Sequence, residues 1–324
     1  MAVGFAAIAF SVASLRRNAY FLIDMKSFSN LQLFAICVLI WGSTWLAITF
    51  QLGTVAPEIS VGYRFVLASV VLFLYCRWRG LKLSFGIRQH LDLMLFGASM
   101  FCVSYIFIYY AETYIVSGVV AIAFSASPML NMLMARVFFS TPMTTRVAIG
   151  ATFGIAGIVC VFWHEFANLS ASRNAELGAI LAALSVVVSS LGNMVSTRIH
   201  ARGYSTWSSM AWGMLYGGVM SLLIGMVLGK PLAFEVTGGY VGSLMYLAIF
   251  GSIITFACYL TLQARIGAAR AAYVGVMTPI LALVVSFFFE KFALGWLTIL
   301  GVALSLAGNI VILRGKRLAD ADAA

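Results

Sequence analysis

Residues 125–133 read SASPMLNML and residues 276–284 read VMTPILALV. A single gap-free shift of 151 residues lays Pro128 on Pro279 within these stretches. The same shift carries GATFGIAG (150–157) onto GVALSLAG (301–308), so that Gly150 meets Gly301 and Gly157 meets Gly308. Phe138 falls on Phe289 and Ile115 on Ile266. Self-similarity at a fixed offset is the mark of a duplicated unit, and everything around these segments is apolar.

Working outward, the apolar runs number ten, near 30–51, 59–77, 91–110, 116–137, 146–163, 176–198, 207–229, 240–262, 270–289 and 293–313. About 20 mostly apolar residues cross a bilayer as a helix. Backbone amides unpaired in lipid are too costly, so each run is a helix or part of a closed barrel. None alternates with period two, which excludes the barrel. The chain is therefore read as an all-α integral membrane protein of ten transmembrane helices.

Composition agrees. The chain is 63% hydrophobic and 9% charged, with a mean hydropathy of +1.03. A soluble surface needs roughly 25% charged residues. The net charge of +10 would suggest a nucleic-acid partner in a soluble protein, but here the basic residues sit in short loops and serve as topology signals, so no nucleic-acid partner is expected. Cys37, Cys76, Cys102, Cys160 and Cys258 lie in or beside apolar runs without CxxC or Cys/His spacing. They read as packing residues, with neither a disulfide frame nor a metal site. The absence of a Walker motif argues against ATP drive, and no cofactor is expected.

Lysine and arginine placement sets the orientation. With the N-terminus inside, the cytoplasmic segments hold Arg16, Arg17, Lys26, Arg77, Arg79, Lys82, Arg88, Arg136, Arg146, Arg198, Arg202, Arg265, Arg270, Arg314, Lys316 and Arg317. The outside holds Arg173, Lys230 and Lys291. Both termini are then cytoplasmic. Five spans per half is an odd number, so the second half enters the membrane upside down. Residues 25–163 form repeat 1 (spans 1–5), 175–314 form the inverted repeat 2 (spans 6–10), and 315–324 a cytoplasmic tail. Inverted repeats around a midplane site recur in secondary transporters. Residues 1–24 are too short in their apolar part to span, and Arg16 and Arg17 follow it, the reverse of a signal peptide. They read as an upstream extension, with translation beginning at Met25.

The residues resemble the drug/metabolite transporter superfamily, in its ten-helix branch with two EamA domains, over residues 30–314. WGSTW (41–45), PEISVGYRFVLASVVLF (57–73), SASPMLNMLMARVFF (125–139) and the closing stretch from Arg265 to Gly308 carry the likeness. Glu290 stands at the family's acidic position after span 9, whereas Ser140 and Thr141 replace the first-half glutamate. In overall texture the chain is similar to the YddG-type exporters of aromatic amino acids. The resemblance implies export across a bacterial inner membrane. It also implies a central cavity bounded by spans 1, 3, 4, 6, 8 and 9, with spans 5 and 10 as outer supports.

Candidate site residues follow from helical spacing. Span 6 carries Ser185, Ser189, Asn193 and Ser196 on one face, for substrate hydrogen bonding or for helix contacts. Span 1 offers Trp41 and Thr44 beside Trp45 and Ile48; span 3, Tyr105 and Tyr109; span 4, Ser127 and Asn131; span 8, Tyr259; span 9, Tyr273 and Met277. Such a lining suits flat, partly apolar solutes; Tyr109 and Tyr259 also suit the role of interfacial anchors. Pro128 and Pro279 are candidate hinges or static kinks. Arg64 is an intramembrane cation, a functional candidate by default, although its depth favours snorkelling to the outer headgroups. Glu58, Asp92, Glu112, Glu176 and Glu290 fall near span ends and His90, His164 and His200 in loops, so no proton relay is expected at mid-membrane. GxxxG pairs at Gly150/Gly154, Gly213/Gly217 and Gly225/Gly229 favour packing within a monomer over dimerisation.

The leading function is secondary export of amino acids, aromatic ones foremost, by facilitated diffusion or exchange. The alternatives are a drug, nucleoside or sugar-phosphate carrier, or, from a different class, an intramembrane enzyme or scaffold. A phosphate substrate would call for clustered cations, and an enzyme for a catalytic dyad at depth.

Overall fold

The computed structural model describes residues 27–140, 149–150, 152–153, 156–157, 159–160, 173–271, 273–290, 295–304 and 306–308. Seven of its helices are long and apolar enough to cross a membrane, and two shorter apolar ones follow. In chain order these are α1 (Asn30–Thr49), α2 (Pro57–Trp78), α3 (Ile87–Tyr114), α4 (Ser117–Phe139), α5 (Arg173–Ala201), α6 (Thr206–Val227), α7 (Gly238–Ile266), α8 (Val274–Phe289) and α9 (Trp296–Gly308). The ten-span reading thus meets nine helices among the described residues. Most of the fifth span, 146–163, lies outside them, though every described residue within it is helical. The segments 1–24 and 315–324 also lie outside the described residues.

Local sequence explains where the helices begin. Ser29 accepts from the Gln32 amide at 3.2 Å while the Gln32 side chain accepts from the Ser29 amide at 2.8 Å, a reciprocal cap for α1. Pro57 opens α2, where its missing N–H costs nothing, and Glu58 stands in the first turn. Thr237 caps α7 through the Tyr240 amide. Gly229, at φ +70°, ends the chain's run beyond α6 in a conformation that favours glycine.

Among the described residues, two spans contain π-helical turns. In α3 the π segment is Ala98–Val103, and in α7 it is Leu247–Ile254. The 151-residue shift read from the prolines carries the first into the second. In α7 the widened ladder is served by hydroxyls: Ser252 Oγ donates to the Leu247 carbonyl at 2.9 Å and Thr255 Oγ1 to that of Phe250 at 2.7 Å, each five residues back.

Neighbours repeat between the halves. Helix α6 lies along α2, α3 along α5, α8 along α1, α6 along α3, and α4 against α8; α7 meets α1 and α2, and α4 meets α5. Exchanging α1, α2, α3 and α4 for α5, α6, α7 and α8 returns these pairs, whereas the contacts of α1 with α3 and α4 have no counterpart of similar extent between α5 and α7 or α8. The pairs α2–α6 and α4–α8 map onto themselves, so they form the middle of the bundle.

The glycines of α6 allow several of these approaches to be close. A Cβ on Gly217 would lie 2.8 Å from the Gly97 carbonyl oxygen, and one on Gly218 would lie 2.8 Å from the Val66 amide nitrogen. Gly213 faces Phe96, and Gly225 faces Ile59. The Gly213/Gly217 pair therefore serves contacts within the chain, as read. Gly154, in the Gly150/Gly154 pair, lies outside the described residues.

Candidate functional site

A cavity enclosing about 750 Å³ of unfilled space, counted to its open mouth, lies between six helices. Its wall is Trp41, Thr44, Trp45 and Ile48 of α1, Met100, Ser104, Tyr105 and Ile108 of α3, Phe124 and Ser127 of α4, Ser189 and Asn193 of α5, Phe256 and Tyr259 of α7, and Gly275 and Thr278 of α8. These are spans 1, 3, 4, 6, 8 and 9 of the sequence. An apolar wall with a few placed polar groups is the make-up of small-molecule sites.

The aromatic wall is held from behind. Trp41 meets Phe256 edge-on and Tyr259 at a tilt, each with ring centroids 5.1 Å apart. Its Nε1 donates to the Gly251 carbonyl at 3.2 Å, inside the π segment of α7. Trp45 lies 5.2 Å from Phe124. On α3, Tyr105 packs edge-on against Phe65 at 4.8 Å. Each such ring pair contributes about 0.5–1.5 kcal/mol beyond the area it buries, which keeps the wall in place when the cavity is empty. Gly42 lets α1 close on α8, since a Cβ there would lie 2.5 Å from Leu281 Cδ2.

Several wall hydroxyls are satisfied by backbone. Thr44 Oγ1 donates to the Trp41 carbonyl at 2.9 Å, Thr278 Oγ1 to Val274 at 2.6 Å, and Ser104 Oγ across to Ser185 at 3.1 Å. What these groups turn toward the cavity is therefore mainly carbon. The concentrated polarity is at Asn193. Its Oδ1 accepts from the Tyr259 hydroxyl at 3.3 Å and its Nδ2 donates to Asn131 Oδ1 at 3.5 Å. Gln263 Nε2 reaches the Asn193 carbonyl at 3.5 Å and Thr197 Oγ1 at 3.1 Å. This layer ties α4, α5 and α7 together below the aromatic wall.

Of the residues singled out in sequence, Trp41, Thr44, Tyr105, Ser127, Ser189, Asn193 and Tyr259 come together on the wall. Asn131 stands one layer behind, against Asn193. Tyr109 is fully buried and turns from the cavity to Gln51, donating to its Oε1 at 3.3 Å. Its burial, like that of Tyr259, removes the interfacial-anchor alternative for both. Tyr273 precedes α8, and Met277 is 37% exposed on the opposite side of α8 from Gly275 and Thr278. Pro128 follows the 3₁₀ turn Phe124–Ala126, whereas Pro279 lies inside α8.

Two expectations need correction. Arg64 does not snorkel: it is 1% exposed, with Nε donating to Ser252 Oγ at 3.0 Å and its Cζ 4.6 Å from the centre of the Tyr105 ring. Its depth along α2 was legible, but not that its face points at α3 and α7. His90 and His200 lie not in loops but in the end turns of α3 and α5. There His90 Nδ1 meets the Tyr216 hydroxyl at 2.8 Å, and His200 meets Ser196 and Thr206. Glu58 and Glu112 stand near helix ends as read, yet both are buried; Glu58 accepts from the Tyr110 hydroxyl at 2.7 Å.

The profile of the EamA-like transporter family matches the chain twice, over residues 29–163 and 176–314. The chain belongs to the EamA-like transporter family. As a member, it is a multi-pass membrane transporter of the drug/metabolite superfamily. Protein PagO of Salmonella typhimurium is 25% identical over 80% of this chain and 84% of its own length. The inner membrane transporter YedA of Escherichia coli strain K12 is 29% identical over 77% of this chain and 79% of its own. Protein PecM of Dickeya dadantii is 25% identical over 86% and 90%. Among the solved structures that match, one crystal structure has a TM-score of 0.67 at 20% identity, covering 88% of this chain and 97% of that one, which supports the fold.

The sequence missed Met100, Ser104, Ile108, Phe124, Phe256, Gly275 and Thr278. Most are apolar or small. In a lipid-solvated bundle the outward and inward faces of a helix are both apolar, so composition alone does not mark the cavity side. One usable signal was Thr278, a hydroxyl beside the in-helix Pro279.

Proposed function

We propose that this EamA-like transporter is a secondary exporter of small organic metabolites, amino acids and above all aromatic ones, and that it works by alternating access. The observation that carries the reading is the central cavity with Trp41, Tyr105, Phe256 and Tyr259 on its wall and the Asn193 amide beneath. Flat rings gain offset and edge contacts there, while amide and hydroxyl groups serve the polar end of an amino acid. Wall residues Ser127 and Ser189 add small polar surface, Thr44 adds a mainly carbon face, and Asn131 backs Asn193.

Alternating access needs two similar halves in opposite orientation. The repeated sequence, the matching π turns and the exchangeable helix contacts all support an inverted pair of five-helix repeats, 25–163 and 175–314, within ten spans. The contacts that map onto themselves, α2–α6 and α4–α8, mark where such halves would rock. Pro128 and Pro279 are the flexing points in this reading. The charge distribution supports both termini on the cytoplasmic side, and the relative named as an inner membrane transporter supports a bacterial inner membrane. The packing of Gly213 and Gly217 inside the chain favours a monomer.

Coupling is by facilitated diffusion or exchange. The wall itself contains no carboxylate or histidine among the described residues, so no proton carrier meets the solute. The test is counterflow in proteoliposomes. Preloading with unlabelled tryptophan or phenylalanine should drive saturable uptake of the labelled compound without an ion gradient. Absence of flux for all twenty amino acids would overturn the substrate class. Accumulation driven by a pH gradient alone would overturn the coupling.

A further inference from the structure

Arg64 is the one wholly buried cation behind the cavity wall among the described residues, and its surroundings are unusual. Its Cζ sits 4.6 Å from the centre of the Tyr105 ring and 5.1 Å from that of Phe65, and its Nε is committed to Ser252. A Cβ on Gly251 would lie 3.3 Å from Arg64 Nη2 and 2.8 Å from Thr44 Cγ2, so the guanidinium and the cavity-lining Thr44 meet at this bare backbone position. Tyr105 and Thr44 are both wall residues. The charge thus stands one side chain behind the wall.

That charge is not neutralised at contact. No carboxylate of the described residues lies within 4.0 Å of Arg64, the ion pairs among them being those of Asp92 with Arg198 and Arg202. Glu58 is engaged by Tyr110. Glu112 feels Arg64 through space but also Glu290, and both its oxygens lack a hydrogen-bond partner among the described residues. Arg64 Nη1 likewise lacks one, and so does Nε1 of the wall residue Trp45. A buried cation with an unspent donor is costly to maintain unless something anionic arrives.

We infer that Arg64 is a specificity-determining residue that selects solutes bearing a carboxylate, with Trp45 Nε1 as a second, neutral donor of the wall. This rests on the proposed function and deepens it. The aromatic cage takes the ring of the solute, and the field of Arg64 takes its acid end. An ammonium group without a carboxylate is repelled by the same charge. The planar guanidinium, held by Ser252 and the Tyr105 face, is pre-oriented and keeps its Nη1 without a partner behind that face.

The experiment uses four indole probes against the full-length protein: tryptophan, indole-3-propionate, tryptophanamide and tryptamine. Each is measured as stabilisation of the purified protein against heat and as inhibition of labelled-tryptophan counterflow. The two carboxylates should act at concentrations at least about 10-fold lower than the amide and the amine, the order expected of one charge-assisted hydrogen bond. In Arg64→Gln that preference should fall to within about 3-fold, and Arg64→Lys should recover part of it. Trp45→Phe, which keeps the ring on Phe124, should weaken the carboxylates several-fold. If Arg64→Gln fails to fold, the wild-type preference and Trp45→Phe still decide. Equal potency of acid, amide and amine in the wild type overturns the inference, as does undiminished preference in a folded Arg64→Gln. Carboxylate-dependent stabilisation without flux supports Arg64 and overturns transport instead. Failure of both acids to bind overturns Arg64's role, and flux of tryptophan insensitive to Arg64→Gln spares the exporter alone.

Discussion

Gly97→Ala tests the tightest glycine contact among the described residues. In an ordinary helix interior this change is favourable by about 0.5–1 kcal/mol, because alanine loses less freedom on folding. Here the new Cβ would lie 2.4 Å from the Gly213 carbonyl oxygen, 2.9 Å from the Gly217 nitrogen and 3.1 Å from Tyr216 Cβ. The first two are backbone atoms with no rotamer to retreat into. Helices α3 and α6 must part by at least about half an ångström before the methyl fits. Overpacking of this kind costs about 1–3 kcal/mol, so the net loss is about 1–2 kcal/mol. That corresponds to roughly 2–3 °C in unfolding temperature, read by intrinsic fluorescence in detergent micelles. Gly242→Ala is the control: its site on α7 is exposed with nothing within 4 Å, and it should leave stability equal or slightly raised. Gly217→Ala should resemble Gly97→Ala, and the double variant should cost less than the sum, since one separation relieves both. Gly97→Ala as stable as Gly242→Ala would refute the close approach of α3 and α6.

Other outcomes follow from the site. Trp41→Ala should lower aromatic amino-acid flux by at least about 10-fold at unchanged membrane abundance; Trp41→Phe, which keeps the ring contacts but loses the bond to Gly251, should lower it only about 3- to 10-fold. Asn193→Ala strips partners from the Tyr259 hydroxyl and from Asn131; a loss of about 1–3 kcal/mol in stability is expected, with flux reduced, and unchanged flux would remove Asn193 from the site. Glu290→Ala should lower the unfolding temperature, because the Glu290 carboxylate accepts from the Ser117 amide at 3.4 Å, from Ser117 Oγ at 2.6 Å and from Ser286 Oγ, joining α8 to the start of α4. Thermal unfolding of that variant matching the parent would leave the link without energetic weight.

Hydropathy alone placed the helices, because a lipid solvent demands unbroken apolar runs of fixed length. Spans expected at 59–77 and 207–229 are α2 at Pro57–Trp78 and α6 at Thr206–Val227. The proline-anchored shift also anticipated a correspondence between halves to which the π turns of α3 and α7 add. The turns themselves were not legible, since a π ladder is chosen by how neighbouring helices fit rather than by side-chain period. The site was legible where polarity interrupts the apolar background, as at Asn193 and Ser189. It was obscure where a choice between i+3 and i+4 decides: from Tyr105 the wall continues to Ile108, while Tyr109 turns to Gln51. Met277, two residues from Gly275, lies on another face of α8. Arg64 shows the limit most clearly. Its depth fits both a headgroup and a buried role, and only the positions of Tyr105 and Ser252 choose between them.

Ser189 lies on the cavity wall and is partly buried, which makes it the place to ask whether one chamber serves both sides. Ser189→Cys would be paired with Cys160→Ser, the other four cysteines being buried, and treated with a membrane-impermeant thiol reagent from either face. Two similar halves rocking about a shared chamber predict modification from each face in turn, slowed on both by tryptophan. Modification from one face alone, with or without tryptophan, would contradict the account.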